Sequence, residues 1–210
     1  MAAIKKRKPL IIGLTGVPGT GKSAVADYFR DKGAMILSGD KIGHEILDYN
    51  HSAKRQLVKI FSRDILNNEG QVDRKKLGLI VFSDADSLRK LNEIVHPPLL
   101  RMLKARIKKA KSERKSRLII VDAALIFEWG IVNWFDFILV VTSPRYLSIR
   151  RMMSKGLTHR QACQKMSSQW KQSQKKELAD YVISNKGSLR QLTKEAERIH
   201  KLLSRYESDF

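Results

Sequence analysis

The amino-acid sequence predicts an α/β fold with a five-stranded parallel sheet, because short apolar runs alternate with segments of helical periodicity. A glycine-rich octet follows the first run directly, and a long segment without a strand pattern separates the second run from the third. The five predicted strands are Leu10–Leu14, Ala34–Leu37, Leu118–Val121, Phe137–Val141 and Tyr181–Ile183.

The octet has the pattern G-x-x-x-x-G-K-S, in which glycines let backbone N–H groups turn toward a triphosphate. Lys22 is expected to reach the β and γ oxygens, and the Ser23 hydroxyl is expected to ligate Mg²⁺. A helical pattern follows, so strand, loop and helix predict a P-loop NTPase of the nucleotide-kinase type that uses ATP and Mg²⁺. The predicted nucleotide-binding residues of the loop are Gly16, Val17, Pro18, Gly19, Thr20, Gly21, Lys22 and Ser23.

Two segments interrupt the alternation of strands and helices. Residues from about 41 to 115 show only helical patterns and are predicted to be a helical insertion between the second and third strands. Residues from about 154 to 177 are polar, rich in Lys and Gln, and suit a lid over the bound nucleotide. The remaining segments, about 9–40, 116–153 and 178–210, are expected to form the core of a single unit.

Charged side chains are expected around the phosphate loop. Asp40 follows the second predicted strand, where it can accept a proton from an attacking hydroxyl, although aspartate also favours a helix N-cap position. Asp122 ends the third strand and is expected near the Mg²⁺ and its waters. Arg150 and Arg151 precede the proposed lid and can neutralise the transferred phosphoryl group, unless they are only solvated.

The chain is strongly basic, with a formal net charge of +20, which favours an anionic partner. Nine of the seventeen residues from Arg101 to Arg117 are Lys or Arg, while Leu103 and Ile107 belong to an apolar helical stripe. This run is either a solvated helix face or a patch for nucleic acid or an anionic membrane. It contains no aromatic residue, so it gives no support for base stacking.

The cysteine and hydropathy patterns favour a cytoplasmic protein. Cys163 is the one cysteine, so no internal disulfide can form. No apolar run reaches the roughly 18 residues of a membrane span, and no export signal fits the first residues.

Several spaced motifs, in order along nearly the whole chain, resemble those of the dephospho-CoA kinase family. This chain has residues related to four motifs of that family, in the same order. The family motifs are D-A-D, L-x-x-I-x-H-P, P-L-L-F-E and Q…A-D-x-V-I-D-N-x-G. Beyond the phosphate loop, the matching segments are Ser38 to Ile46, Val72 to Leu77, Leu91 to Pro97, Ala124 to Glu128, Gln169 and Ala179 to Gly187.

The resemblance implies ATP-dependent phosphorylation of the ribose 3′-hydroxyl of dephospho-CoA, the last step of coenzyme A synthesis. It implies that Asp40 is the catalytic carboxylate, that Arg150 is the first lid arginine and that Asn185 lies near the adenine. The residues implied for the acceptor region are Arg74, His96 and Pro97.

The chain departs from the family pattern at Ser38, Ala124 and Ser154, where the family has Asp, Pro and a second lid arginine. Lys155 adjoins the last position and is a candidate substitute cation. His96 can also be only a core or helix-start residue. Two other functions stay open: a kinase with another small-molecule acceptor, and a non-catalytic nucleotide-binding scaffold with a polyanionic partner.

Overall fold

A computed structural model describes residues 8–209 and contains one five-stranded sheet in which all neighbouring strands are parallel. The spatial order is β2-β3-β1-β4-β5, so the strand that precedes the phosphate loop lies in the centre. The predicted sheet is confirmed, and each strand extends one residue beyond the predicted end. The strands are β1 (Leu10–Thr15), β2 (Met35–Ser38), β3 (Leu118–Asp122), β4 (Phe137–Thr142) and β5 (Tyr181–Ser184).

Nine α-helices accompany the sheet within the described residues. They are α1 (Lys22–Asp31), α2 (Gly39–Tyr49), α3 (His51–Phe61), α4 (Arg74–Ser83), α5 (Ala85–Glu113), α6 (Arg145–Met153), α7 (His159–Ser167), α8 (Gln172–Glu177) and α9 (Leu189–Asp209). Short 3₁₀ turns occupy Arg63–Ile65 and Val132–Trp134.

Successive residues of β1 belong to two different apolar clusters, one on each face of the sheet. Ile12 packs in a cluster with Phe29 of α1 and Leu203 of α9. Ile11 belongs to the opposite cluster, which includes Ile42 of α2 and Leu103 of α5. Because strand side chains alternate between faces, helices on both sides bury a strand that is apolar throughout.

The register of the sheet aligns the carboxyl ends of three strands. Asp122 of β3 pairs with Leu14 of β1 on one side and with Ser38 of β2 on the other. The phosphate loop follows β1, and Asp40 follows β2 by two residues. This edge of the sheet therefore carries the loop and both predicted carboxylates, as expected for ligand sites in parallel sheets.

The segment between β2 and β3 is helical and contains α2 to α5. It has an apolar cluster of its own, which includes Leu57, Leu77 and Val81. The helix α5 continues through Pro97 and Pro98, although proline removes an N–H donor and crowds the preceding turn.

The structure corrects two interpretations of α5. His96 lies in the middle of this helix, so the helix-start alternative is wrong. The basic run was predicted to be helical as far as Arg117, but the helix ends at Glu113 and Arg114 adopts a left-handed C-cap conformation. The last basic residues therefore form the connection into β3.

The segment between β4 and β5 connects the core to the helical insertion. Ala162 of α7 packs on Ile149 and Met152 of α6, and α7 also contacts α4. Thr158 and Gln161 form a capping box that fixes the start of α7. In residues 8–209 we find no helix that combines the length and the apolar character needed to traverse a bilayer.

Candidate active site

The phosphate loop adopts a backbone conformation that depends on its glycines. Gly16 has φ of 144° and Gly19 has φ of 78°, values that side chains with a Cβ rarely adopt. A Cβ at Gly16 would collide with the carbonyl oxygen of Val141, and one at Gly19 would collide with that of Ser148. The Thr20 hydroxyl donates to the carbonyl of Val17 at 2.9 Å and closes the turn.

Lys22 lies at the start of α1, inside the loop. Its ammonium donates a hydrogen bond to the carbonyl oxygen of Gly16 at 2.9 Å. Burial lowers the pKa of Lys22, and the negative charges of Asp122 and Asp40 oppose that effect. The N-cap of α1 is Gly21, which offers no side-chain acceptor, so the helix N-terminus is suited to bind an anion. Ser23, the next residue, is exposed.

The two predicted carboxylates differ in environment. Ser38 is the N-cap of α2, since its hydroxyl accepts the amide of Lys41 at 3.3 Å, so the N-cap interpretation of Asp40 is wrong. Asp40 is exposed in the first turn of that helix. Asp122 is only partly accessible, and burial raises the pKa of its carboxyl group, while the charge of Lys22 opposes the rise. Asp40 is therefore the more accessible base.

A cavity of about 430 Å³ opens beside Asp40, between the helical insertion and the core. Arg74 and His96 also line it, so the structure brings three of the predicted site residues together. Much of the remaining wall is apolar and includes Leu77, Val81, Phe82, Leu91 and Trp129. This mixture of charged and apolar walls suits a ligand with both polar and apolar parts.

The imidazole ring of His96 forms part of the wall of this cavity. Its imidazole lies edge-to-face on Trp129, with ring centroids 5.5 Å apart. Burial lowers the pKa of His96, so the neutral form predominates at pH 7. Among the described residues, the indole Nε1 of Trp129 and the Oε1 of Gln169 are buried without hydrogen-bond partners, and both residues line the cavity. Gln169 belongs to the family motif, whereas Trp129 was not predicted from the sequence as a site residue.

Pro97 lies apart from the other residues predicted for the acceptor region. It is exposed and lines a separate groove of about 230 Å³ with Asn50, Glu93 and Arg101. Pro97 is absent from the lining of the cavity that contains His96. The proline shapes the helix and lies outside the cavity that contains Asp40.

Arg151, not Arg150, contacts the phosphate loop. Its guanidinium donates to the Asn185 side-chain oxygen at 3.0 Å, to the Ser143 hydroxyl at 3.0 Å and to the Gly19 carbonyl at 3.3 Å. Asn185 is buried and donates in turn to the carbonyl of Thr20 at 2.8 Å. Arg150 is exposed. The helical phase of α6 decides which of the two arginines faces inward.

The three departures from the family pattern have different surroundings. Ser38 supplies the helix cap described above. The main-chain carbonyl of Ala124 accepts hydrogen bonds from the Thr15 hydroxyl at 3.0 Å and from the Lys175 ammonium at 2.6 Å. A proline at this position would offer the same carbonyl oxygen. Ser154 donates to the Arg151 carbonyl at 2.9 Å, and Lys155 beside it is exposed.

Comparisons with known proteins identify the family. The family model for dephospho-CoA kinase matches residues 10–191. A dephospho-CoA kinase of Aquifex aeolicus (strain VF5) is 37% identical over 194 residues, which are 92% of this chain and 97% of that protein.

Solved structures agree with the family assignment. The crystal structure of TT1252 from Thermus thermophilus has a TM-score of 0.75 and 29% identity, covering 95% of this chain and 98% of that one. Dephospho-CoA kinase from Campylobacter jejuni has a TM-score of 0.68 and 27% identity, with 93% and 97% covered. The phosphate loop, the two carboxylates on one edge of the sheet and the cavity beside Asp40 agree with these matches. This chain belongs to the dephospho-CoA kinase family of P-loop kinases.

Proposed function

We propose that this kinase transfers the γ-phosphoryl group of ATP to the ribose 3′-hydroxyl of dephospho-CoA, the final step of coenzyme A synthesis. One observation carries the proposal: Asp40 lines the cavity and also acts electrostatically on Lys22 of the phosphate loop. An acceptor in the cavity therefore lies beside a base and beside the loop that binds the donor.

The loop fits the triphosphate of ATP. Its glycines bring the backbone close to where phosphates lie, Lys22 supplies a positive charge, and the start of α1 has free N–H groups. The Ser23 hydroxyl and the Asp122 carboxylate would hold Mg²⁺, which neutralises charge on the phosphates when it is bound. Asp122 suits this role because a nearby cation would offset the cost of burying its charge.

The reaction follows from the position of Asp40. The 3′-oxygen attacks the γ-phosphorus and forms a new P–O bond, while the bond from that phosphorus to the β–γ bridging oxygen breaks and ADP leaves. Asp40 accepts the hydroxyl proton and later releases it to water. His96 is neutral at pH 7 and contributes shape to the cavity, whereas Arg74 contributes positive charge.

Other predicted residues receive supporting roles. Asn185 and Arg151 hold the loop in its binding conformation through the hydrogen bonds described above. Arg150 is exposed at the same end of α6 and is free to contact the nucleotide. Lys155 is exposed and absent from the residues that line the acceptor cavity, so its role as a substitute for the second lid arginine stays a prediction.

The basic run needs no second partner. Arg106 forms an ion pair with Glu45 of α2, and the Lys104 ammonium lies 5.6 Å from the centroid of the Trp134 ring. These contacts are those of a solvated helix that packs on its neighbours. Neither the described residues nor the comparisons support binding to nucleic acid or to a membrane, and the scaffold alternative is not favoured.

The direct test is to incubate the purified protein with ATP, Mg²⁺ and dephospho-CoA and to detect CoA by mass spectrometry. We expect CoA and ADP in equal amounts, and we expect Lys22→Ala to abolish their formation while circular dichroism remains unchanged. Parallel reactions with nucleosides and other small alcohols test the alternative acceptors. Faster turnover with one of those than with dephospho-CoA would reject the proposed acceptor.

A further inference from the structure

We propose that Lys165, on the lid helix α7, binds the phosphate groups of the acceptor. This inference rests on the proposed function and names a binding residue that neither the sequence motifs nor the comparisons assign. Lys165 lines the same cavity as Asp40. Its ammonium lies 5.7 Å from the centroid of the Phe82 ring, on the wall that α4 contributes.

The charge of the cavity calls for an anionic ligand. Among the lining residues that the structure describes, Arg74 and Lys165 are cations and Asp40 is the only carboxylate. Within residues 8–206, no carboxylate forms an ion pair with Lys165, whose ammonium contacts the ring of Phe82. A cation that faces a cavity without a counter-ion favours a phosphate there.

We assign Lys165 to the acceptor because it lines the cavity of Asp40, although its charge also acts on Lys22 of the phosphate loop. A second cavity of about 590 Å³ lies beside Val17 of the phosphate loop and Ser143, and Met166 and Ser167 of α7 line it. Lys165 is absent from that lining and lines the cavity of Asp40 instead. Neighbouring residues of α7 therefore line different cavities, while Gln169, which follows the helix, lines both.

The chemistry of dephospho-CoA matches this arrangement. Its diphosphate joins the adenosine, whose 3′-hydroxyl must lie near Asp40, to an extended arm that the apolar wall can accommodate. Lys165 is a flexible point charge on the lid, so it can contact the diphosphate after the acceptor enters. Because α7 contacts α4, binding of the diphosphate would also link lid closure to the presence of the acceptor.

Steady-state kinetics of Lys165→Ala and Lys165→Arg test the assignment, with Arg160→Ala as the matched control. Arg160 is an exposed cation of the same helix and does not line the acceptor cavity. A charge-assisted hydrogen bond contributes about 1.5–3 kcal/mol, so the KM for dephospho-CoA should rise about 10-fold or more in Lys165→Ala. The KM for ATP should change less than about twofold, Lys165→Arg should recover most of the affinity, and Arg160→Ala should match the wild type.

Equilibrium titrations give a readout that does not depend on turnover. With the phosphate loop saturated by ADP, the wild type should bind dephospho-CoA and 5′-AMP more tightly than adenosine, which has no phosphate. Lys165→Ala should lose this preference and keep its affinity for adenosine. Equal loss for all three ligands, or a fall in kcat with an unchanged KM for dephospho-CoA, would overturn the assignment. Absence of CoA formation by the wild type would instead reject the proposed function, and the titrations would still test Lys165.

Discussion

The ammonium of Lys175 lies 2.8 Å from Oε1 of Glu128, and the lysine side chain has no exposure to solvent. The same carboxylate oxygen accepts the amide of Trp170 at 2.9 Å, and the Trp170 ring stacks on Phe127 with centroids 6.1 Å apart. These contacts join the segment between β4 and β5, which was predicted to be a lid, to the loop that follows β3. Burial lowers the pKa of Lys175, whereas the hydrogen bond and charge of Glu128 oppose that shift.

We expect Lys175→Met to destabilise the protein by about 3 kcal/mol, because it leaves the mostly buried Glu128 carboxylate without its cation. Urea unfolding at pH 7.5 measures this change. The double variant Lys175→Met/Glu128→Leu removes both charges and should recover part of the loss. A single variant within about 0.5 kcal/mol of the wild type would show that the ion pair does not hold the lid segment.

Asp40 and Ser38 have separable roles. We expect Asp40→Asn to lower kcat by about 10²–10⁴-fold, the usual contribution of a general base, with little change in stability. Ser38→Ala should instead lower the free energy of unfolding by about 1 kcal/mol, because the helix cap is lost. Wild-type turnover in Asp40→Asn would place the base elsewhere.

The sheet and the phosphate loop could be predicted from the sequence because their signals are local. Five apolar runs mark the strands, and the octet with its following helix fixes the loop. The strand order and register then bring Asp40 and Asp122 to one edge.

Contacts between distant segments could not be predicted in the same way. Lys165 and Lys175 are two of several lysines in a polar segment, and only the packing of α7 and α8 places them in a cavity and in a buried ion pair. Arg150 and Arg151 are adjacent, so the phase of α6 had to decide which one contacts Gly19. The family signature groups His96 with Pro97, but in the folded helix His96 lines the cavity of Asp40 and Pro97 lines a separate groove.

Arg151 is expected to support the phosphate loop. Arg151→Ala removes charge-assisted hydrogen bonds to Asn185 and Ser143, so the free energy of unfolding should fall by about 1.5–3 kcal/mol. The Kd for ADP should rise because the loop is held less firmly. Arg150→Ala, the adjacent control, should leave stability within about 0.5 kcal/mol. Thermal unfolding and ADP titration measure both effects, and an equal loss of stability in the two variants would contradict this distinction.

The basic surface of α5 is expected to raise the rate at which the anionic substrates encounter the protein. Reversing Lys108, Lys109 and Lys111 to Glu should lower kcat/KM at low salt, and kcat should change little. The loss should shrink as salt rises, because the Debye length falls to about 8 Å at physiological ionic strength. Kinetics at several salt concentrations measure this effect. A fall in kcat that salt does not alter would place the helix at the active site.

His96 makes the stability of the protein depend on pH in a defined direction. Burial lowers its pKa below the ordinary value of 6.5, so between those two values the unfolded chain binds more protons than the folded protein. Stability therefore rises with pH in that window, and its contribution is lost as the pH falls from 6.5 through the folded-state pKa.

His96→Gln removes this titration, and we expect the free energy of unfolding to depend less on pH between 7 and 5. The limiting slope for one proton is about 1.4 kcal/mol per pH unit, which bounds the difference between the wild type and the variant. Urea unfolding at several pH values measures it, and His51→Gln, at the exposed start of α3, is the matched control. If the free energies of unfolding of the wild type and of His96→Gln differ by the same amount at pH 5 and at pH 7, the imidazole has the same pKa in the folded and the unfolded protein. In that case the ring is charged in mild acid when the acceptor binds.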